Sequence, residues 1–254
     1  MINWCCYCQR LIGETAPFED FALSHGVCAR CEQRLLARED LKDQHQGTID
    51  FFARLFREAK RGDRATCAAL VADGLSLGYA PSDLLLGLIQ PALWTIGKAW
   101  EEGRTTVAEE HRFTAWCTTA FSLLPPLPLE ESASGPLELL MFQAPGNHHD
   151  LGLQFAERVL REGGVTCRAF VPELPVDEVL ALTRQHAPRW LGFSCARTES
   201  MEPTRALIDQ LRADGFMGGV LISGQAVRRG ASEWVGSTAC RSVGDALSLI
   251  TAGR

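Results

Sequence analysis

From Leu137 onward, apolar runs of strand length alternate with helical patterns of about ten residues, and no other feature restricts the fold so tightly. The strand candidates are Leu137 to Phe142, Val165 to Val171, Trp190 to Ser194 and Gly219 to Ser223. Between and after them, 151–163, Val176 to His186, Pro203 to Ala213 and Ala246 to Thr251 carry helical spacing, and Gly163-Gly164 closes the first of these helices. Repeated strand–helix–strand units build an open parallel sheet, doubly wound, with helices on both faces. Ligands of such a sheet sit beyond the carboxyl ends of its strands, so the loops after Phe142, Ser194 and Ser223 are where function is expected.

The texture upstream differs. Residues 43–124 read as helix after helix, beginning with an apolar face of Phe51, Phe52, Leu55 and Phe56 that Arg61-Gly62-Asp63 interrupts. Leu84, Leu85, Leu88, Ile89, Ala92, Leu93 and Ile96 keep helical spacing through Pro91, which predicts a kink there and not a stop. A last helix runs from about Thr106 to Leu123. Pro125-Pro126-Leu127-Pro128 and the polar residues after it cannot hold a helix. The expected organisation is therefore a cysteine-rich head (1–40), a four-helix bundle (41–125), a linker (126–136) and a Rossmann-like domain (137–254).

Composition narrows the class. Of 254 residues, 46% are hydrophobic and 22% charged, which excludes a disordered or fibrous chain. A net charge of −6 weighs against a dedicated nucleic-acid binder. The apolar stretch Leu84 to Gly97, broken by Gln90 and Pro91, is too short to span a bilayer, so no membrane partner is expected. The first residues carry neither a basic segment nor an apolar core of a secretory signal, and a cytoplasmic location is the default expectation.

Five of the ten cysteines crowd into the first 31 residues. Cys5-x2-Cys8 and Cys28-x2-Cys31, with 19 residues between the pairs, have the spacing of a zinc-ribbon-like site with four thiolate ligands; an iron–sulfur cluster or a redox disulfide are the other chemistries such spacing allows. Cys6 is a spectator or an alternative ligand. Cys67, Cys117, Cys167, Cys195 and Cys240 stand singly in apolar surroundings and read as small hydrophobes. The string Ser24-His25-Gly26-x-Cys28-x-x-Cys31 resembles a cysteine module found beside bacterial sensor domains.

The loop after the first strand reads Ala144-Pro145-Gly146-Asn147-His148-His149-Asp150-Leu151-Gly152. Its plain reading is a turn with Asp150 as the helix N-cap. Spacing adds more: Asn147-x-His149-x-x-Gly152 is followed after 41 residues by Ser194-Cys195-Ala196, and after 27 more by Gly224-Gln225. These three segments resemble the Asp/Glu-x-His-x-x-Gly, Ser-x-Leu and Gly-Gly motifs of cobalamin-binding domains of the methionine synthase and methylmalonyl mutase type. The resemblance implies that His149 is the lower ligand of cobalt, that Asn147 accepts a hydrogen bond from its other ring nitrogen, and that Gly152, Ser194 and Gly224 make room for the nucleotide tail. Asn147 departs from the pattern, being an amide where the family has a carboxylate, as do Ala196 and Gln225; a haem is the alternative occupant.

Trp100 stands ten residues before Glu110-His111, at the end of one expected helix and the start of the next. Alone these would be a helix-end anchor and a solvated face. Trp-x9-Glu-His is nevertheless similar to the signature of the CarH and AerR group of cobalamin photoreceptors and anti-repressors. That likeness implies that Trp100 walls the upper axial group of adenosylcobalamin or methylcobalamin, with Glu110 and His111 hydrogen-bonding beside it. Where one subgroup follows the tryptophan with a cobalt-binding histidine, this chain has Glu101, which leaves His111 or His148 as substitutes. The function implied is a cobalamin-dependent light sensor and transcriptional regulator of the anti-repressor type. It would act through a transcription factor or another regulatory protein, and not as an enzyme. No helix-turn-helix or basic recognition segment is recognisable, so direct DNA binding is not expected. The alternatives are a corrinoid protein of a methyltransferase system and a haem or redox sensor.

Overall fold

The computed structural model describes residues 1–37, 39–127, 136–230 and 236–252. The chain divides into two compact units, Met1–Pro125 and Pro126–Arg254. Residues 128–135 of the expected linker lie outside the described residues.

The first unit opens with three short strands, β1 (Ile2–Cys5), β2 (Leu11–Glu14) and β3 (Leu23–Gly26), in the order β2-β1-β3. β1 pairs antiparallel with β2 and parallel with β3. Helix α1 (Ala29–Leu36) follows, and then the bundle: α2 (His45–Arg61), α3 (Arg64–Ser76), α4 (Pro81–Leu84), a π turn (Leu85–Ile89), α5 (Gln90–Glu101) and α6 (Val107–Ser122). Phe51, Leu55 and Ala59 on α2 and Phe113, Trp116, Cys117 and Ala120 on α6 are buried at helical spacing. Phe56 and Phe113 pack with ring centroids 5.2 Å apart.

The kink expected at Pro91 takes the form of the π turn just before it. Proline has no N–H for the carbonyl four residues back, and its ring crowds that carbonyl; a wider turn relieves both. The carbonyl in question is Gly87's, and the Trp4 indole Nε1 donates to it at 3.3 Å. A side chain at Gly87 would run into the Trp4 ring. Trp4 is 2% exposed and stands edge-on to Tyr79, whose hydroxyl donates to Thr48 Oγ1 at 3.1 Å. The head is packed into the bundle through this tryptophan, with Phe21 against Trp94 of α5 and His25 stacked on His45 of α2 beside it.

The second unit is a five-stranded, all-parallel sheet of β4 (Leu139–Gln143), β5 (Cys167–Phe170), β6 (Trp190–Ser194), β7 (Gly219–Ser223) and β8 (Thr238–Ala239), in the order β5-β4-β6-β7-β8. Side chains alternate between two cores. Leu140, Phe142, Leu191, Phe193, Val220 and Ile222 join Val179 of α8 (Val176–His186) and Leu207, Ile208 and Leu211 of α9 (Met201–Ala213). Leu139, Met141 and Leu221 face Leu153 and Leu160 of α7 (Asp150–Glu162) and Ile250 of α11 (Val243–Ala252). This is the expected doubly wound α/β fold, and its strand order reverses between β4 and β6. Three short elements of this unit went unread in the sequence: β8, α10 (Gln225–Arg228) and a 3-10 turn at Thr198–Ser200.

Substituting Trp4→Ala removes both the ring and the donor to Gly87, and should cost about 3–5 kcal/mol of the first unit's stability. Urea unfolding followed by helix content checks this, with Trp4→Phe, which keeps most of the volume, expected to cost less.

Candidate functional site

At the point where the strand order reverses, β4 ends at Gln143 and β6 at Ser194, and the β4–α7 loop crosses between them. Asn147 lies in that loop with no exposed surface. Its amide nitrogen donates to the Ser194 carbonyl at 2.6 Å and to Gln143 Oε1 at 2.7 Å. Its oxygen accepts from the His149 backbone N–H at 3.1 Å and faces His149 Nδ1 at 3.0 Å. A backbone carbonyl can only accept and a backbone N–H can only donate, so the amide's orientation is forced. It follows that His149 carries its proton on Nδ1 and leaves Nε2 as a lone pair. The His149 side chain is exposed, as befits a group that offers that nitrogen to a ligand.

The plain reading of Asp150 needs correction: the N-cap of α7 is His149, and Asp150 is the first helical residue. Its carboxylate turns back to accept from Gln143 Nε2 at 3.0 Å. Gln143, 3% exposed, went unnoticed in the sequence, where a polar residue closing an apolar strand gave the only signal. The loop is further tied down by Gly146, whose N–H donates to Glu173 Oε1 at 3.0 Å.

Gly224 follows β7 with φ at +103°, and a Cβ there would strike the Cys195 carbonyl, so only glycine fits between the β6 and β7 ends. Ser194 and Ser223 pair across these ends. Gly152 is different. A Cβ added to it meets nothing within 4 Å, so the unit's own packing does not demand a glycine, and the space beside it is open. An imidazole with a fixed tautomer, small residues at the neighbouring strand ends and open space beside Gly152 at a strand-order reversal fit a corrin held by His149.

The first unit carries two further sets. Trp100, 48% exposed, sits on the last turn of α5, and Glu110 and His111 sit on the first turn of α6. All three flank one short connection. His111 Nε2 lies 3.6 Å from Glu110 Oε2, while Glu110 Oε1 accepts from Thr114 Oγ1 at 2.7 Å. A capping box fixes where α6 begins: Thr106 Oγ1 accepts from the Glu109 N–H at 3.2 Å, and Glu109 Oε2 accepts from the Thr106 N–H at 2.8 Å. Those bonds, the Thr106 backbone one foremost, pull the Glu109 carboxyl down from 4.5 to about 2.

The other set is the cysteine quartet. Cys5 closes β1, Cys8 lies in the following turn, Cys28 is the N-cap of α1 and Cys31 lies in its first turn. Their sulfurs all lie within 4.8 Å of one another. Cys8 and Cys28 stand 3.7 Å apart, close to the edge of about 3.8 Å that a tetrahedron with zinc–sulfur bonds of about 2.3 Å would have. Burial would raise the Cys5 thiol, but the backbone amides of Cys28, Tyr7 and Cys8 bring it down to about 6. Burial pushes Cys8 and Cys31 up. Cys6 is buried outside the quartet, and all ten cysteines are free thiols. The four fit a tetrahedral thiophilic ion such as zinc.

Two family models match, both described as B12 binding domain: one over residues 52–124, the other over 137–246. The head falls outside both. The HTH-type transcriptional repressor CarH of Myxococcus xanthus is 29% identical over 156 residues, which is 61% of this chain; the chain spans 47% of that relative's length. The monomethylamine corrinoid protein of Methanosarcina barkeri shares the fold at a TM-score of 0.69 and 18% identity, over 81% of this chain and 99% of that one. Among the described residues no helix is long and apolar enough to cross a membrane.

Two outcomes are expected. Metal analysis of protein prepared without chelator should find about one zinc per chain, and Cys28→Ser should lose it. The Glu109 contribution, its folded value lying below the unfolded one, is present above pH 4.5 and fades as pH falls toward 2. Acid titration by circular dichroism should show this loss of helix, and Glu109→Gln should remove that part of the pH dependence.

Proposed function

Belonging as it does to the proteins that join a helical to an open-sheet B12-binding domain, this chain holds a corrin, and we propose that it uses the corrin to sense light and regulate transcription through a protein partner. The observation that carries this reading is the Trp100, Glu110 and His111 set, on a chain similar to a transcriptional repressor and placed together at the α5–α6 connection. In adenosylcobalamin or methylcobalamin the corrin supplies a cobalt–carbon bond that light can break.

The residues divide the work. His149 would offer Nε2 to the cobalt of a bound corrin, with Asn147 holding the ring to one tautomer and one direction. Gly152 and Ser194 would leave room for the nucleotide tail, and Gly224 would serve it by letting the end of β7 pass close beside Cys195. Trp100 would present a flat apolar face to a group carried on the cobalt, while Glu110 and His111 would offer an acceptor and an imidazole to its polar atoms. Presence of that group would decide whether the half-exposed indole is covered, which would make this end of the bundle the surface a partner reads. A corrinoid carrier for a methyltransferase has the same fold; the neutral Asn147 beside the histidine disfavours it, since a carboxylate there would make the imidazole a stronger donor.

In the dark, purified protein should bind adenosylcobalamin with the spectrum of a histidine-ligated cobalt whose own base is displaced, and green light should change that spectrum. His149→Ala should lose the histidine-ligated form. A wild-type spectrum that light leaves unchanged overturns the sensor and favours the carrier.

A further inference from the structure

We infer that Gln143 and Asp150 are positioning residues that return to His149 the carboxylate which Asn147 lacks, through a relay of two buried amides. The inference deepens the reading of His149 as a cobalt ligand and rests on it.

The relay follows from the same two backbone groups that orient Asn147. With its nitrogen toward the Ser194 carbonyl, the Gln143 atom 2.7 Å from that nitrogen must be the acceptor Oε1. Gln143 Nε2 is then the donor that meets Asp150 Oδ1 at 3.0 Å. His149 Nδ1–H thus donates to Asn147, Asn147 to Gln143, and Gln143 to Asp150. Every donor points the same way, and the chain ends on a carboxylate. Hydrogen bonds aligned in this sense polarise one another, most strongly away from water. The two amides have that shelter, at 0% and 3% exposure. Asp150 itself, in the first turn of α7, stands where a helix N-terminus favours negative charge.

The polarity also shows why 147 is an amide. A carboxylate there would set an oxygen without a proton against the Ser194 carbonyl. The charge is held two residues further along the relay instead. Its effect on the imidazole is the one a direct carboxylate has, in weaker form: the Nδ1–H tautomer is enforced and Nε2 becomes a better donor.

Two variants separate this from a merely structural role. Gln143→Leu cuts the relay in an apolar setting, and Asp150→Asn keeps an acceptor in place while removing the charge. In corrin-free protein labelled with nitrogen-15 histidine, long-range proton–nitrogen spectra should show His149 in the Nδ1–H form for wild type and Asp150→Asn. Gln143→Leu should keep that form too, because the Ser194 carbonyl and the His149 backbone N–H still orient Asn147, but its Nδ1–H proton signal should move upfield as the bond to an unpolarised amide weakens. With methylcobalamin as the probe, Asp150→Asn and Gln143→Leu should each bind about tenfold more weakly, at the lower end of what altered partners of a ligating histidine cost. Thermal unfolding of the second unit in each variant establishes that it is folded. A folded Gln143→Leu with an unmoved Nδ1–H signal, or either variant with unchanged affinity, overturns the relay. Failure of the ligand assignment reads out elsewhere, as His149→Ala retaining the wild-type corrin spectrum.

Discussion

The Asn147 side chain uses its whole hydrogen-bonding capacity, two donated and two accepted bonds, without reaching water. One of those bonds reaches the end of β6, another the last side chain of β4, and the remaining two set the course of the backbone and the ring at His149. The amide therefore closes the gap that opens where the strand order reverses, and aims the residue that gap exists to present. A buried amide left with one of these groups unpaired would cost about 1–3 kcal/mol, so the four bonds form as a set. The doubly wound sheet below supplies the rigid ends on which they rest.

How much of this was legible depended on what kind of interaction was involved. β6, β7 and α8 have the boundaries their sequence implies, because strands buried on both faces leave almost continuous apolar runs between turn residues. The three strands of the head and the two residues of β8 are too short to leave a period. The His149 segment stood out by the spacing of its three motifs. Gln143 did not, since its meaning lies in which way two amides face, and that is settled by a carbonyl on another strand. The N-cap went to His149 for the same reason: the Asp150 carboxylate was occupied by a neighbour seven residues back, which no local pattern encodes.

In the bundle the pattern was right about where the helix departs from ideality and silent about why it holds. Apolar spacing on either side of Pro91 required a continuous helix, and the π turn is how a chain lacking one N–H meets that requirement. The cysteine quartet shows the reverse. Its spacing was plain, whereas the tryptophan next to Cys5, which joins it to the bundle, is an ordinary-looking apolar residue in the sequence.

That attachment has a consequence for how the molecule comes apart. The indole that seals the broken helix is anchored one residue from a metal-type ligand, so thiols and helix share a single cooperative element and not two stacked modules. Amide protons around Leu85–Ile89 should accordingly report on the state of sulfurs that are distant from them along the chain.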